Sequence, residues 1–221
     1  MVSLLDIIGP VMVGPSSSHT AGACRIGLFA RALLGGQPEH ARVELHGSFA
    51  RTGQGHGTDR AIAGGLLGFH PDDERLRDSI ELAAEAGLDL TFENAKLRGD
   101  HHPNTTRISA KRGDRQVSVV GSSIGAGRIV VTAIDGFHVD ITGTLPTLVV
   151  VAADQPGTVA AVTSTLAEAG GNIATIKVSR RQKGGHAIHI YELDEPVSAE
   201  ALVALAALPS VQSVRAIARV A

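Results

Sequence analysis

Cysteine is nearly absent: Cys24 is the only one in 221 residues. One thiol excludes an internal disulfide, and it excludes a cysteine-ligated zinc or iron-sulfur site built by this chain alone. The expected home is a reducing one, the cytoplasm. A surplus of one charge is missing as well. Lysine plus arginine (20) nearly balances aspartate plus glutamate (22), so no footprint for nucleic acid or an anionic membrane is visible and small metabolites are the expected partners. Long apolar runs are lacking: L-V-V-V-A-A from Leu148 is far too short for a bilayer, and the N-terminal apolar stretch carries Asp6 without a basic flank. Neither membrane insertion nor export is expected. There is no G-x-x-x-x-G-K-[ST] loop and no strand, G-x-G-x-x-G, helix unit, so nucleotide binding has no support.

What is present is an ordinary folded composition, 43% hydrophobic and 19% charged, enough for one or two domains with a sizeable core. Ala23, Ile26, Gly27, Ala30, Leu33 and Leu34 recur at three- and four-residue spacing before Gly35-Gly36, which predicts an amphipathic helix with a glycine stop, capped by Ser16, Ser17 or Ser18. A-R-V-E-L-H-G-S-F alternates like a half-buried strand and leads into a glycine-rich turn, R-T-G-Q-G-H-G-T-D. Two helices are expected next, through A-I-A-G-G-L-L-G and from Pro71 to Gly87. From Leu88 the texture changes to short alternating segments, L-D-L-T-F, T-R-I-S-A-K, Q-V-S-V-V and R-I-V-V-T-A, with R-G-D-R as a hairpin turn, so this half closes as a mixed or antiparallel sheet. After T-G-T-L-P the remaining residues spell strand, helix, strand, strand, helix, strand, a split βαβ with both helices on one face. The fold class is therefore α+β, with domains expected at 1–144 and 145–221.

Four polar constellations carry the candidate chemistry. Gly14 to Gly22 reads G-P-S-S-S-H-T-A-G at the start of a helix, where backbone N–H groups and the hydroxyls of Ser16, Ser17, Ser18 and Thr20 suit a carboxylate or phosphate. Set against this is plain capping, which needs one serine; five successive hydrogen-bonding side chains including His19 exceed that need. In G-Q-G-H-G-T-D, His56 lies between Gly55 and Gly57 and can be approached closely, unless the segment is only a glycine-rich turn. H-H-P-N-T offers Asn104, whose amide donates and accepts; the adjacent histidines His101 and His102 point to different sides and make a poor metal pair. Finally, G-S-S-I-G from Gly121 has the spacing of a nucleophile elbow, but a strand follows it rather than a helix, so it reads as a hairpin that leaves Ser123 accessible.

The last third of the chain, with D-Q-P-G at Asp154 to Gly157 and G-N-I at Gly171 to Ile173, resembles an ACT domain, an amino-acid-sensing module with a ferredoxin-like βαββαβ fold. Over the whole chain, I-I-G-P-V-M-V-G-P-S-S-S-H-T-A-G-A-C-R-I-G, G-S-F-A-x-T-x-x-G-H-G-T-D-x-A-I-x-G-G-L-L, H-P-N-T and S-I-G-A-G, in this order before the ACT pattern, resemble the beta subunit of the iron-sulfur L-serine dehydratases. The chain departs from that pattern at Cys24, where a small residue or proline is expected, and at Ala126, which interrupts S-I-G-G-G. The resemblance implies an N-terminal α/β domain of the allosteric-substrate-binding-like kind. It further implies a separate alpha subunit that ligates a [4Fe-4S] cluster, L-serine as substrate, and conversion to pyruvate and ammonia without pyridoxal phosphate. No metal ligand is assigned to this chain. Carried over residue by residue, Ser16, Ser17, Ser18 and Thr20 bind the substrate carboxylate, Asn104 and Ser123 orient the substrate, and His56 or His19 handles protons, a base from the partner chain being the alternative. In the ACT part an effector is expected at Asp154, Gln155, Pro156, Gly157, Asn172 and Ile173, between paired modules, or the domain serves only to self-associate. Two readings compete: a stand-alone amino-acid sensor, and an anion-binding accessory module of a different enzyme.

Overall fold

The helix spacing that starts at Ala23 and the alternation that starts at Arg42 place apolar residues on one side of each element, and these sides meet in the interior. The computed structural model describes residues 11–220; Ile7 to Pro10 of the opening motif lie outside them. The chain divides into two units, one built from residues up to 136 with 140–142, the other from 137–139 with 143–219.

In the first unit a π-helical turn, Ser17–Gly22, runs directly into α1 (Ala23–Leu34). Gly35, at φ 89°, ends α1 and returns its N–H to Arg31 and Ala32, the stop that the sequence announces. Next come β1 (His40–Leu45), α2 (Gly47–His56), α3 (Thr58–Leu67), a 3₁₀ turn (Glu74–Asp78) and α4 (Ser79–Glu85). They are followed by β2 (Asp89–Asn94), β3 (Thr105–Arg112), β4 (Arg115–Gly125), β5 (Arg128–Ile134) and β6 (Phe137–Ile141), the last of which is divided between the two units. The sheet order is β2-β1-β3-β4-β5-β6. The β1–β2 pair is parallel, while β1–β3, β3–β4 and β4–β5 are antiparallel, so the sheet is mixed. Register explains the core. Val43, Ile108, Val119 and Ile134 are successive cross-strand partners and all are buried, a continuous apolar row under α1.

The packing of α1 on α3 depends on Gly65. A Cβ there would collide with the carbonyl oxygen of Cys24 and sit 2.8 Å from the Leu28 nitrogen, so the A-I-A-G-G-L-L segment is written for backbone-to-backbone contact. Two expectations need correction. The strand predicted through Phe49 stops at Leu45, and the glycine-rich turn after it is α2. Its glycines are poor helix formers and Phe49 is its one large apolar anchor, so periodicity is nearly silent there. Strand β6 follows an Asp135-Gly136 turn and was not anticipated.

The second unit has β7 (Thr147–Ala153), α5 (Thr158–Glu168), β8 (Ile173–Arg180), β9 (His186–Leu193), α6 (Ala199–Ala206) and β10 (Val211–Ile217), in sheet order β10-β7-β9-β8. This is the ferredoxin-like ACT arrangement. Leu148, Val150, Ala152, Tyr191 and Leu193 of the sheet pack against Val162 and Leu166 of α5 and Leu205 of α6. Among the described residues no helix is long and apolar enough to cross a membrane.

Candidate active site

Ser16 is extended, and its Oγ accepts the His19 N–H at 3.3 Å, so one serine of the polar run is the cap. The wide π-helical turn then carries His19 inward. Its Nδ1 lies 3.3 Å from Ser16 Oγ, and its Nε2 lies 3.1 Å from Thr52 Oγ1 and 3.4 Å from Ser48 Oγ. The ring also stands edge-on to Phe49, at 5.2 Å between centroids. Both nitrogens of His19 are thus engaged by hydroxyls from α2 and the cap. Burial, and secondarily the neighbouring His56, lower its pKa below the ordinary imidazole value, against an opposing effect of Ser48, so His19 is neutral at pH 7.

His56 occupies the last turn of α2, not an open glycine loop as the sequence suggested. It is exposed, and its Nδ1–H donates to the Thr52 carbonyl at 2.9 Å, one helical turn back. That bond fixes the tautomer, because a carbonyl can only accept; Nε2 is left with a free lone pair. The His56 and His19 rings are 5.0 Å apart. Gly57 then takes φ 69°, the left-handed turn that separates α2 from α3.

Beside His56 opens a cleft of about 280 Å³ whose lining includes Val13, Gly14, Thr20, Arg60, Leu76 and Arg77. The segment that brings Val13 to the cleft is held where the Val13 N–H donates to the Pro71 carbonyl at 2.8 Å. Thr20 is 4% exposed and its Oγ1 has no hydrogen-bond partner among the described residues. Thr20 and His56 are both among the residues that line this cleft. Ser17 and Ser18 are half-buried and do not line this cleft. Arg60 and Arg77 do line it, yet motif reading passed over them; Arg60 directly follows G-H-G-T-D, and Arg77 joins it only through tertiary packing.

Asn104 and Ser123 are joined by the backbone, Ser123 N–H to the Asn104 carbonyl at 2.9 Å. Ser123 is not accessible as expected. It is fully buried in β4 against Gly22, with Oγ unpartnered, because the strand continues through it and the turn comes only at Ala126-Gly127. Asn104 is half-buried at the edge of the Ser48 turn, whose N–H bonds the Pro103 carbonyl at 2.7 Å. Cys24 is buried, its Sγ donates to the Phe69 carbonyl at 3.1 Å, and burial pushes its thiol up to about 12. No group of three or more metal-ligating side chains occurs among the described residues.

In the second unit the Asp154 carboxylate accepts from Arg180 at 2.8 Å and from the Gly184 N–H at 2.9 Å, which holds it below the usual carboxylate range. Asn172 instead donates its amide to Asp194. The two halves of the expected effector site, Asp154 to Gly157 and Asn172 to Ile173, therefore sit at opposite ends of β8, roughly 20–25 Å apart at strand rise. One copy of the unit does not bring them together.

The serine dehydratase beta chain family matches residues 3–87 and the ACT domain family residues 146–210. A probable L-serine dehydratase beta chain of Bacillus subtilis is 43% identical over 98% of both chains. The L-serine dehydratase beta chain of Peptoniphilus asaccharolyticus is 39% identical over 89% of each. L-serine dehydratase 1 of Escherichia coli is 35% identical over 59% of this chain but only 34% of its own length. With one relative 43% identical over 98% of both chains, and with the serine dehydratase beta chain and ACT matches following one another along the sequence, the chain belongs to the L-serine dehydratase beta-chain family.

Proposed function

We propose that this chain forms one wall of the active site of an L-serine ammonia-lyase and works only with an alpha chain. The Escherichia coli relative supports the division, because the match covers about a third of a longer L-serine dehydratase and leaves the rest to be supplied elsewhere. The [4Fe-4S] cluster implied by the family does not fit this chain. Its one thiol is buried and hydrogen-bonded, and the described residues offer no ligand cluster, so in this reading the alpha chain holds it. When bound there it supplies a Lewis acid for the substrate hydroxyl.

The observation that carries the proposal is that His56, whose Nδ1 alone is engaged, lines one cleft with Thr20, whose buried hydroxyl has no partner among the described residues. His56 takes the α-proton at Nε2, with Nδ1 anchored to Thr52. The substrate loses that proton and its hydroxyl, as water, to give aminoacrylate, whose imine form hydrolyses to pyruvate and ammonia. His19 is a positioning residue: with both nitrogens occupied it holds the α2 hydroxyls and the ring of His56 in place. Thr20 donates to the substrate carboxylate, the half-buried Ser17 and Ser18 extend the polar wall toward the partner chain, and Ser16 caps the turn. Asn104 orients the amino-acid substrate while Ser123 supports the turn at Gly22 from below. In the reconstituted alpha-beta enzyme, His56→Asn lowers kcat by about 10²–10⁴-fold, the range for a lost general base. Near-normal turnover in that variant, with the loss appearing in His19→Asn instead, reverses the assignment.

The ACT unit self-associates through β8 in the same reading. That strand is the sheet edge and exposes Ile176 and Val178, with Val159 exposed on α5. Two β8 edges paired antiparallel would set the Asn172 end of one copy beside the Asp154 loop of the other. This joins the segments that a single copy separates, and an amino-acid effector, L-serine first, fits there.

A further inference from the structure

We propose that Arg60 and Arg77 form the cationic anchor for the substrate's carboxylate. The inference rests on the active-site reading above and deepens it. The cleft beside His56 is lined by both arginines and by no acidic residue. Among the described residues neither guanidinium has an ion pair or a side-chain hydrogen bond, whereas Arg75, which lies between them in sequence, is paired with Asp73 at 2.6 Å. Both arginines are exposed at the rim of the cleft, where an anion bound between them relieves the repulsion of two like charges. A carboxylate matches the planar fork of a guanidinium and can accept from two donors at once.

The scaffold holds these side chains in register. Ser79 is fully buried, and its hydroxyl lies 2.5 Å from the Arg60 carbonyl and 3.1 Å from the Leu76 carbonyl. It thereby ties α3, which carries Arg60, to the 3₁₀ turn that carries Arg77. The backbone N–H of Arg60 is held by Asp59 Oδ1 at 2.9 Å, which keeps that carboxylate on the backbone. Thr20, which also lines the cleft, has an unpartnered hydroxyl that is more than nine-tenths buried. Two guanidinia, one hydroxyl donor and one imidazole with a free nitrogen make a site for a small α-amino acid whose carboxylate is held inside and whose α-carbon faces His56. A helix N-terminus alone supplies partial charge; the arginines supply full neutralisation.

The test is steady-state kinetics on the alpha-beta enzyme. Arg60→Gln and Arg77→Gln each raise KM for L-serine, by about 10- to 100-fold for a charged hydrogen bond, while kcat changes by less than about threefold. Arg60→Lys recovers part of the affinity, because it restores charge without the fork. An unchanged KM in the double glutamine variant overturns the proposal, as does a loss confined to kcat. A second readout separates this inference from the reaction itself. In the full beta chain, acetate shifts the His56 ring signals in NMR for the wild type and not for the Arg60→Gln/Arg77→Gln variant. A complex that makes no pyruvate from serine overturns the reaction while leaving that titration to decide the arginines. Equal acetate shifts in both chains overturn the anchor.

Discussion

His19 and His56 show how two identical side chains 5.0 Å apart come to differ in their hydrogen bonds. His19 spends both nitrogens on hydroxyls and lies partly buried, so it is locked and neutral. His56 spends only Nδ1, on a backbone carbonyl, and leaves Nε2 unengaged among the described residues. The spacing S-S-S-H-T and G-H-G-T-D marked both histidines as candidates but not which keeps an unengaged nitrogen, because a hydrogen-bond partner from another element leaves no mark in local spacing. The same holds for Cys24, whose inertness comes from burial under Phe69 and not from its neighbours in sequence. A thiol held near 12 has almost no thiolate at pH 7 to 8. Native protein therefore resists a thiol-directed alkylating reagent over hours, and labelling becomes rapid only in denaturant. Fast labelling of the folded chain contradicts the buried placement.

At the scale of elements, glycine content separates into two kinds. Gly65 sits where α1 and α3 touch, and Gly65→Ala drives a methyl into the Cys24 carbonyl, an overpacking cost of about 1–3 kcal/mol read as a lower denaturation midpoint. Gly55, in α2, has nothing within 4 Å of an added Cβ, so Gly55→Ala raises stability by about 0.5–1 kcal/mol through helix propensity. Equal effects of the two changes contradict the packing described. This distinction also explains which elements were legible. Helix α1 and strands β3 to β5 bury regular apolar faces, so their periods show; α2 buries Phe49 but little else that is large, and its glycines imitate a loop. Strand β6 hid behind its length, five residues with two of them exposed, although an Asp-Gly turn preceded it.

For the whole molecule, two predictions concern the ACT unit. Ile176→Lys with Val178→Lys puts charge on the β8 edge and converts an associated species to a monomer by sedimentation, with loss of any L-serine binding heat that depends on paired copies. Unchanged mass contradicts association through β8. The other concerns acid. His189 is 1% exposed, its Nδ1 lies 3.1 Å from the Tyr191 hydroxyl, and burial lowers its pKa, with the Asp154 charge opposing. Unfolded histidine takes up its proton near pH 6.5, the folded residue only at lower pH, so between these values the unfolded state binds more protons. Stability contributed by His189 is complete above pH 6.5 and declines as pH falls below it. Denaturant melts at pH 7.5 and 5.5 reveal that slope, and His189→Gln flattens part of it; His19, shifted the same way, contributes in the same direction. An unchanged slope in the variant contradicts the assignment. The sequence by itself determined the class of fold, the ACT unit and the family, because periodic burial and long ordered motifs are local properties of the chain. Only the tertiary structure decided that Ser123 is sealed, that Arg60 and Arg77 share a cleft with His56 and Thr20, and that the effector segments lie at opposite ends of β8. Those facts depend on which surfaces meet across distant stretches of chain, and burial and pairing between them are set by packing that no short window of residues contains.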